Sequence, residues 1–226
     1  MTATDSRPPA MFIAGDLSLD FVNSIGTPVD TVVEWLADGE DLLAWLRQAE
    51  LVPGEAAATM RANCFPGELD AVAAQARALR EWFRNFLVAH GGRSLGPDSL
   101  RELEPLNRIL ERDDAYGAIV ARSMETADRS RTSRLEWLTL RRWRTPDSLL
   151  LPIAHAIANL LTSEDLSRVK SCEKPPCTLF FLDRTRTQSR RWCSMTICGN
   201  RAKQALHRAR IKRQKRSANR KRRAKA

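Results

Sequence analysis

Cys172-Glu173-Lys174-Pro175-Pro176-Cys177, fifteen further residues, then Cys193-Ser194-Met195-Thr196-Ile197-Cys198 followed by Gly199-Asn200-Arg201: this stretch decides the reading of the chain. Two cysteine pairs, each with four residues between its members, supply two short turns that can converge on one ion. Zinc takes thiolates tetrahedrally at about 2.3 Å, and four sulfurs close its coordination shell. The site is therefore read as one structural zinc held by Cys172, Cys177, Cys193 and Cys198, without an open catalytic position. Two disulfides are the alternative, but the first ten residues lack the basic-then-apolar order of a secretory signal, and cytosolic thiols stay reduced.

Between the knuckles, Thr178-Leu179-Phe180-Phe181-Leu182 has strand composition, and Arg190-Arg191-Trp192 is expected to return beside it as a hairpin. Asn200 is expected to cap a helix whose Ala202, Ala205, Leu206 and Ala209 pack on the finger. Knuckle, hairpin, knuckle and helix describe a treble-clef-like or ribbon-like finger.

The knuckles, Phe181-Leu182-Asp183, Arg191-Trp192-Cys193-Ser194-Met195 and Cys198-Gly199-Asn200-Arg201-Ala202-Lys203 resemble the CGNR zinc finger. Leu19-Asp20-Phe21-Val22-Asn23 and Trp35-Leu36-Ala37-Asp38 are similar to the ABATE-type domain that accompanies this finger in bacteria. The resemblance runs from about residue 11 to about 210. It implies a stress-induced transcription regulator, with a finger that binds nucleic acid and a first domain that senses something.

Charge divides the chain in the same place. From Arg184 onward there are seventeen Lys and Arg and no Asp or Glu, which leaves residues 1–183 with twenty basic against 27 acidic residues, a net charge of −7. Opposite charges on two parts suggest two jobs. The basic part reads as a polyanion-binding surface, with Arg190, Arg191, Asn200, Arg201, Lys203, Gln204, Arg208, Arg210 and Lys212 as candidate nucleic-acid contacts. Double-stranded DNA is the preferred partner. RNA is the rival, with Trp192, Phe180 or Phe181 as a stacking surface.

The remainder reads as mainly α. Residues 1–10 are expected to be disordered, 11–165 to form an α-rich domain, 166–212 the finger with its basic helix, and 213–226 a basic tail, disordered or helical. Residues 17–23 fit a short strand or a first helical turn, Val32 to Leu36 a short helix, and 41–46 another. The long helix runs from Leu69 to Leu87, with Val72, Ala73, Ala76, Leu79, Phe83 and Phe86 at threes and fours. Its Arg77, Arg80 and Arg84 read as a solvated stripe. Leu100 to Leu110 form a further helix, 116–120 and 135–140 one β-hairpin around a loop at 128–133, and Asp147-Ser148 cap an apolar helix to Leu161. His155 reads as a core histidine and Cys64 as an idle thiol.

No phosphate loop, nucleophile elbow, His-Glu-x-x-His or dinucleotide fingerprint is present, so no catalytic residue is assigned and no enzyme is expected. Asp20, Asn23 and Arg80 are candidates for a small-molecule pocket, with Trp137 and Trp143 as weaker ones; capping is the plainer role for Asp20 and Asn23. The longest apolar run, Leu149 to Leu161, is too short to span a bilayer, so no membrane partner is expected and the chain is read as cytoplasmic. One finger reads few bases, which makes a second copy of the chain a candidate partner. An interaction module or an unrecognised enzyme in residues 11–165, with the finger as a docking device, is the other class kept open.

Overall fold

A computed structural model describes residues 8–27, 31–91, 95–125 and 131–223. The expectations for residues 1–7, for the hairpin tip at 128–130 and for 224–226 lie outside the described residues. The chain is mainly helical, with three two-stranded antiparallel pairs among the described residues. In order come α1 (Leu17–Val22), β1 (Ile25–Gly26), β2 (Val33–Glu34), α2 (Gly39–Gln48), α3 (Gly54–Asn63), α4 (Glu68–His90) and α5 (Glu104–Leu110). A ribbon of β3 (Ala115–Glu125) and β4 (Arg131–Arg141), then α6 (Leu151–Ser163), β5 (Val169–Ser171), β6 (Phe180–Leu182) and α7 (Asn200–Arg223) complete the chain.

The core forms around α4, whose buried Val72, Ala73, Ala76, Leu79, Phe83, Phe86 and Leu87 make one stripe at helical spacing. Leu42, Leu43, Trp45 and Leu46 of α2, Ile153, Ala154, Ile157 and Leu160 of α6, and Leu19, Phe21 and Val22 of α1 fill the same cluster. Removal of each of the Val, Leu, Ile and Phe side chains from water contributes roughly 1.5–3 kcal/mol. Gly39 sets the closest approach of α2 to α4, since a Cβ there would fall 2.3 Å from Leu69 Cβ. Both early helices start on aspartates: Asp16 accepts from Ser18 N at 2.9 Å and Asp38 from Asp41 N at 2.9 Å.

Several local expectations are corrected. Residues 33–34 are a strand, because Trp35 N donates to Ser24 O at 2.8 Å and ties this segment back to β1. Leu100–Leu110 is split into a short 3-10 turn and α5, with Pro105 in the first turn of α5. Asp147 and Ser148 do not cap α6, which begins at Leu151; the Ser148 hydroxyl instead donates to Thr145 O at 2.6 Å. His155 is exposed and meets Asp113 at 2.6 Å. In α3, whose apolar pattern is weak, Ala57 and Met60 are buried. The arginine stripe of α4 is not solvated: Arg77 donates to Leu36 O and Ala37 O, and Arg84 to Val22 O, so two of its members clamp the backbone at Val22, Leu36 and Ala37.

Pro8 and Pro9 are exposed, but the segment is tied to the body at two points. Trp35 Nε1 donates to Pro8 O at 2.8 Å, and Ala10 rests against the core. The segment that follows is held by Asp20, whose Oδ1 accepts from Ile13 N and Ala14 N, both at 2.9 Å. Burial pushes the Asp20 carboxyl up to about 6 despite the backbone N–H groups of Ala14 and Ile13, with Asp16 adding repulsion. An acid whose folded pKa is raised gives stability below its ordinary value that is lost as pH rises through the folded pKa. Calorimetry should therefore show the wild-type midpoint losing this contribution between about pH 4 and pH 6, with Asp20→Asn, which keeps the acceptor oxygen, lacking that loss. Asp20→Ala orphans two backbone donors and is expected to lose about 1–3 kcal/mol at every pH.

Candidate metal centre and nucleic-acid interface

The finger is built from β5 upward. Val169 pairs with Leu182, Lys170 with Phe181 and Ser171 with Phe180, so β6 lies beside the segment before the first knuckle, not beside Arg190-Arg191-Trp192 as the strand composition suggested. Backbone pairing continues into the knuckle, with Cys172 N donating to Leu179 O at 2.9 Å. The segment 190–192 is held by other means. Asp183, fully buried, accepts from Lys170 Nζ at 2.8 Å, Thr185 Oγ1 at 2.6 Å, Thr185 N and Arg190 N at 3.0 Å each. Burial opposes its ionisation, but Lys170 and these donors hold the carboxyl below the usual range.

The second knuckle is part of a helix. Ser194 caps a wide turn over Met195–Gly199 that runs directly into α7, so Ser194, not Asn200, is the capping residue. Cys198 thereby sits on the turn that launches α7. All four sulfurs lie within 4.8 Å of one another, with Cys177 to Cys193 at 3.8 Å and Cys193 to Cys198 at 3.5 Å. Tetrahedral thiolates at a 2.3 Å bond length sit roughly 3.8 Å apart, so the spacing fits zinc and is far too long for a disulfide. Hydrogen bonds, chiefly from Cys193, pull the Cys177 thiol below its ordinary value, while burial pushes Cys198 up and the Cys177 contact raises Cys193. Thiolates packed this tightly repel one another, which a divalent cation at their centre relieves. The cysteines form a closed site for one structural zinc ion.

The candidate nucleic-acid residues divide into two sets. Arg190 is inside the finger: its guanidinium stacks on Phe181 at 4.3 Å and donates to Trp192 O, Cys193 O and Ile13 O. It braces the knuckle and is withdrawn from the candidate contacts. Arg191 is exposed but paired with Glu173 at 2.6 Å. The second set is on α7, where Asn200, Lys203, Gln204, Arg208, Arg210 and Lys212 are exposed and Arg201 is half-buried. His207, passed over in the sequence, joins Lys203, Gln204 and Arg208 around one shallow depression; its three- and four-residue spacing from Gln204 and Lys203 was the available signal. The alanine and leucine stripe does not pack on the finger, and Leu206 is 71% exposed.

The candidate pocket residues serve other contacts. Asn23 donates from Nδ2 to Phe180 O and accepts at Oδ1 from Phe180 N, both at 2.8 Å, so its amide acts as an extra strand partner for β6. Arg80, 2% exposed, makes a two-pronged pair with Glu34 at 2.7 and 2.8 Å and donates to Ser24 Oγ. Asp20 secures the N-terminal segment. Trp143 packs on the core and Trp137 is exposed on the ribbon, so the two share no pocket.

Residues 15–164 match the ABATE family, described as "Putative stress-induced transcription regulator". The chain belongs to the ABATE family. Residues 168–211 match the CGNR zinc finger. A comparison with curated proteins finds no match. In this ABATE protein no described helix is long and apolar enough to cross a membrane.

Cys193→Ser is expected to lower zinc from one equivalent to near zero and to unfold the finger, because metal binding and folding are one free energy here; elemental analysis with circular dichroism reads both. Arg80→Ala takes the guanidinium away from the half-buried Glu34 and is expected to lose about 3–5 kcal/mol in denaturant titration.

Proposed function

We propose that this protein is a DNA-binding transcription regulator whose reading element is α7. The observation that carries the proposal is a 24-residue helix without a single acidic residue, rooted in the zinc site and exposed from Lys203 through Gln214. Arg208 and Lys212, and Arg210 and Arg213, are like charges at neighbouring positions of the helix, which disfavours it until a polyanion neutralises them. A helix of this length extends about 36 Å, and the DNA major groove, about 12 Å wide, admits one. In this reading Arg201, Lys203, Arg208, Arg210 and Lys212 supply phosphate contacts, and Gln204 and Asn200 read base edges.

Three features support DNA over RNA and binding over catalysis. Phe181 is buried, and Phe180 lies half-buried under Arg84 at 5.5 Å, which leaves the half-buried Trp192 as the finger's remaining candidate for stacked bases. The buried charges Arg80, Asp20 and Asp183 are engaged with backbone and ion-pair partners. Two cavities in the body measure about 200 and 270 Å³. Ligand pockets are usually about 300 Å³ or more, so neither of these two favours a small ligand. A cytoplasmic site of action follows from this reading.

Titration of the zinc-loaded protein against duplex DNA, single-stranded DNA and structured RNA at two salt concentrations tests the proposal. One duplex sequence should be preferred at the higher salt. Removal of residues 211–226 should weaken binding to all sequences and reduce the salt slope by roughly 0.9 for each phosphate no longer neutralised. Equal loss of all binding at the higher salt, or a preference for RNA, would overturn it.

A further inference from the structure

The four ligands of the zinc site differ in their access to water. Cys172, Cys193 and Cys198 are buried, at 8%, 1% and 0% exposure, whereas Cys177 is half-buried. Cys193 touches both knuckles: its sulfur lies 3.8 Å from that of Cys177 and 3.5 Å from that of Cys198. A diffusing oxidant therefore meets Cys177 first, and a second sulfur stands behind it at contact distance.

The two knuckles are also held differently. The first is fixed to the body, with Thr27 Oγ1 donating to Pro176 O at 2.9 Å and Leu179 packed so closely on Gly26 that a Cβ there would fall 2.5 Å from Leu179 Cδ2. Cys193 is held by Arg190, which donates to its carbonyl. Beyond it, Cys198 N and Gly199 N both donate to Ser194 O at 3.0 Å, so the turn that launches α7 bonds to itself. Through the ion, Cys198 ties that turn to the anchored knuckle.

We infer that the zinc site is also an oxidation site, entered at Cys177 and closed by Cys193, at which a peroxide frees the root of α7. The Cys177 thiolate attacks one peroxide oxygen; the S–O bond forms as the O–O bond breaks, and the departing hydroxide takes a solvent proton to become water. The Cys193 thiolate then attacks the sulfenic sulfur of Cys177; the S–S bond forms, the S–O bond breaks, and a second hydroxide leaves as water. Two thiolates lose two electrons between them, and one peroxide is reduced to two waters. Cys172 and Cys198 alone cannot fill a tetrahedral shell, so the ion is lost.

The β5–β6 pair, the donors around Asp183, and the bonds of Asn23 and Arg190 across the junction involve no sulfur. With the new S–S bond in place of the ion between Cys177 and Cys193, that half of the finger is kept. Cys198 is left without a tie, and α7 loses its fixed direction. The use of this rests on the regulator reading above: the helix that meets the duplex is released while the body is unchanged, and a dithiol with zinc restores it.

Limiting hydrogen peroxide added to the zinc-loaded full chain, without nucleic acid, tests the site; a metal-binding dye follows zinc and peptide mass spectrometry maps the disulfide. One zinc is expected to leave for each Cys177–Cys193 bond formed, and dithiothreitol with added zinc to restore the metal. Cys177→His keeps four ligands, three thiolates and an imidazole, and is expected to slow release at least tenfold. Cys172→His has the same ligand set with Cys177 retained and is expected to stay within about twofold of the wild type. Zinc content verifies both variants beforehand, and if either fails to load, the wild-type disulfide map decides. Met195, 49% exposed beside the site, is the competing sulfur, and Met195→Leu is expected to leave release unchanged. Zinc retained on four reduced thiols, a first disulfide that omits Cys177, oxidation confined to Met195, or a loss of zinc that dithiothreitol does not reverse overturns the inference. Because no nucleic acid is present, failure of DNA binding would leave this result intact.

Discussion

Four sulfurs within 4.8 Å of one another are the constraint from which the functional half of the molecule follows. The finger buries little: its core is Leu179, Phe181 and the cysteines themselves, with Met11, Ile13, Trp192 and Ile197 at its edge. A cluster of that size does not fold on apolar burial alone, so the ion is part of the fold. The direction of α7 follows from the same constraint. Cys198 is on the turn that begins the helix, and a ligand fixed in space fixes the first turn of the helix that carries it.

The second organising contact is the junction between finger and body. Asn23 pairs with the backbone of Phe180, Leu182 N donates to Ala14 O at 2.8 Å, and Arg190 reaches Ile13 O. Arg184 adds a bond to Gly15 O and an ion pair with Glu164 at 2.7 Å. Polar bonds to backbone have direction, and a set of them resists rotation where a purely apolar seam would slide. The basic helix is therefore carried at a set angle to the acidic body.

Much of this was legible in the sequence because it depends on spacing. The zinc ligands show at once in two Cys-x4-Cys pairs, and α4 shows in the recurrence from Val72 to Leu87. What could not be read depends on contacts between distant residues. Arg190 and Arg208 are the same residue type in the same basic stretch, yet one is folded under Phe181 and the other is exposed. Arg80 read as a solvated or pocket-lining residue because its partner, Glu34, is 46 residues away. The pairing of β6 with β5 was missed because Val169–Ser171 is too short to signal a strand, while Arg190-Arg191-Trp192 was the more obvious neighbour. Leu206 followed a packing period but had nothing to pack against.

The Asn23–Phe180 pair closes a loop of 157 residues, and the Ile13–Arg190 bond a longer one. Contacts of such sequence separation are the slowest to form and cannot exist until the finger has left the ribosome. Helix α1 and the segment before it therefore wait, while the rest of the body is made, for the strand against which they are built. The body and the finger mature together, so the basic helix reaches its working orientation only after both have emerged.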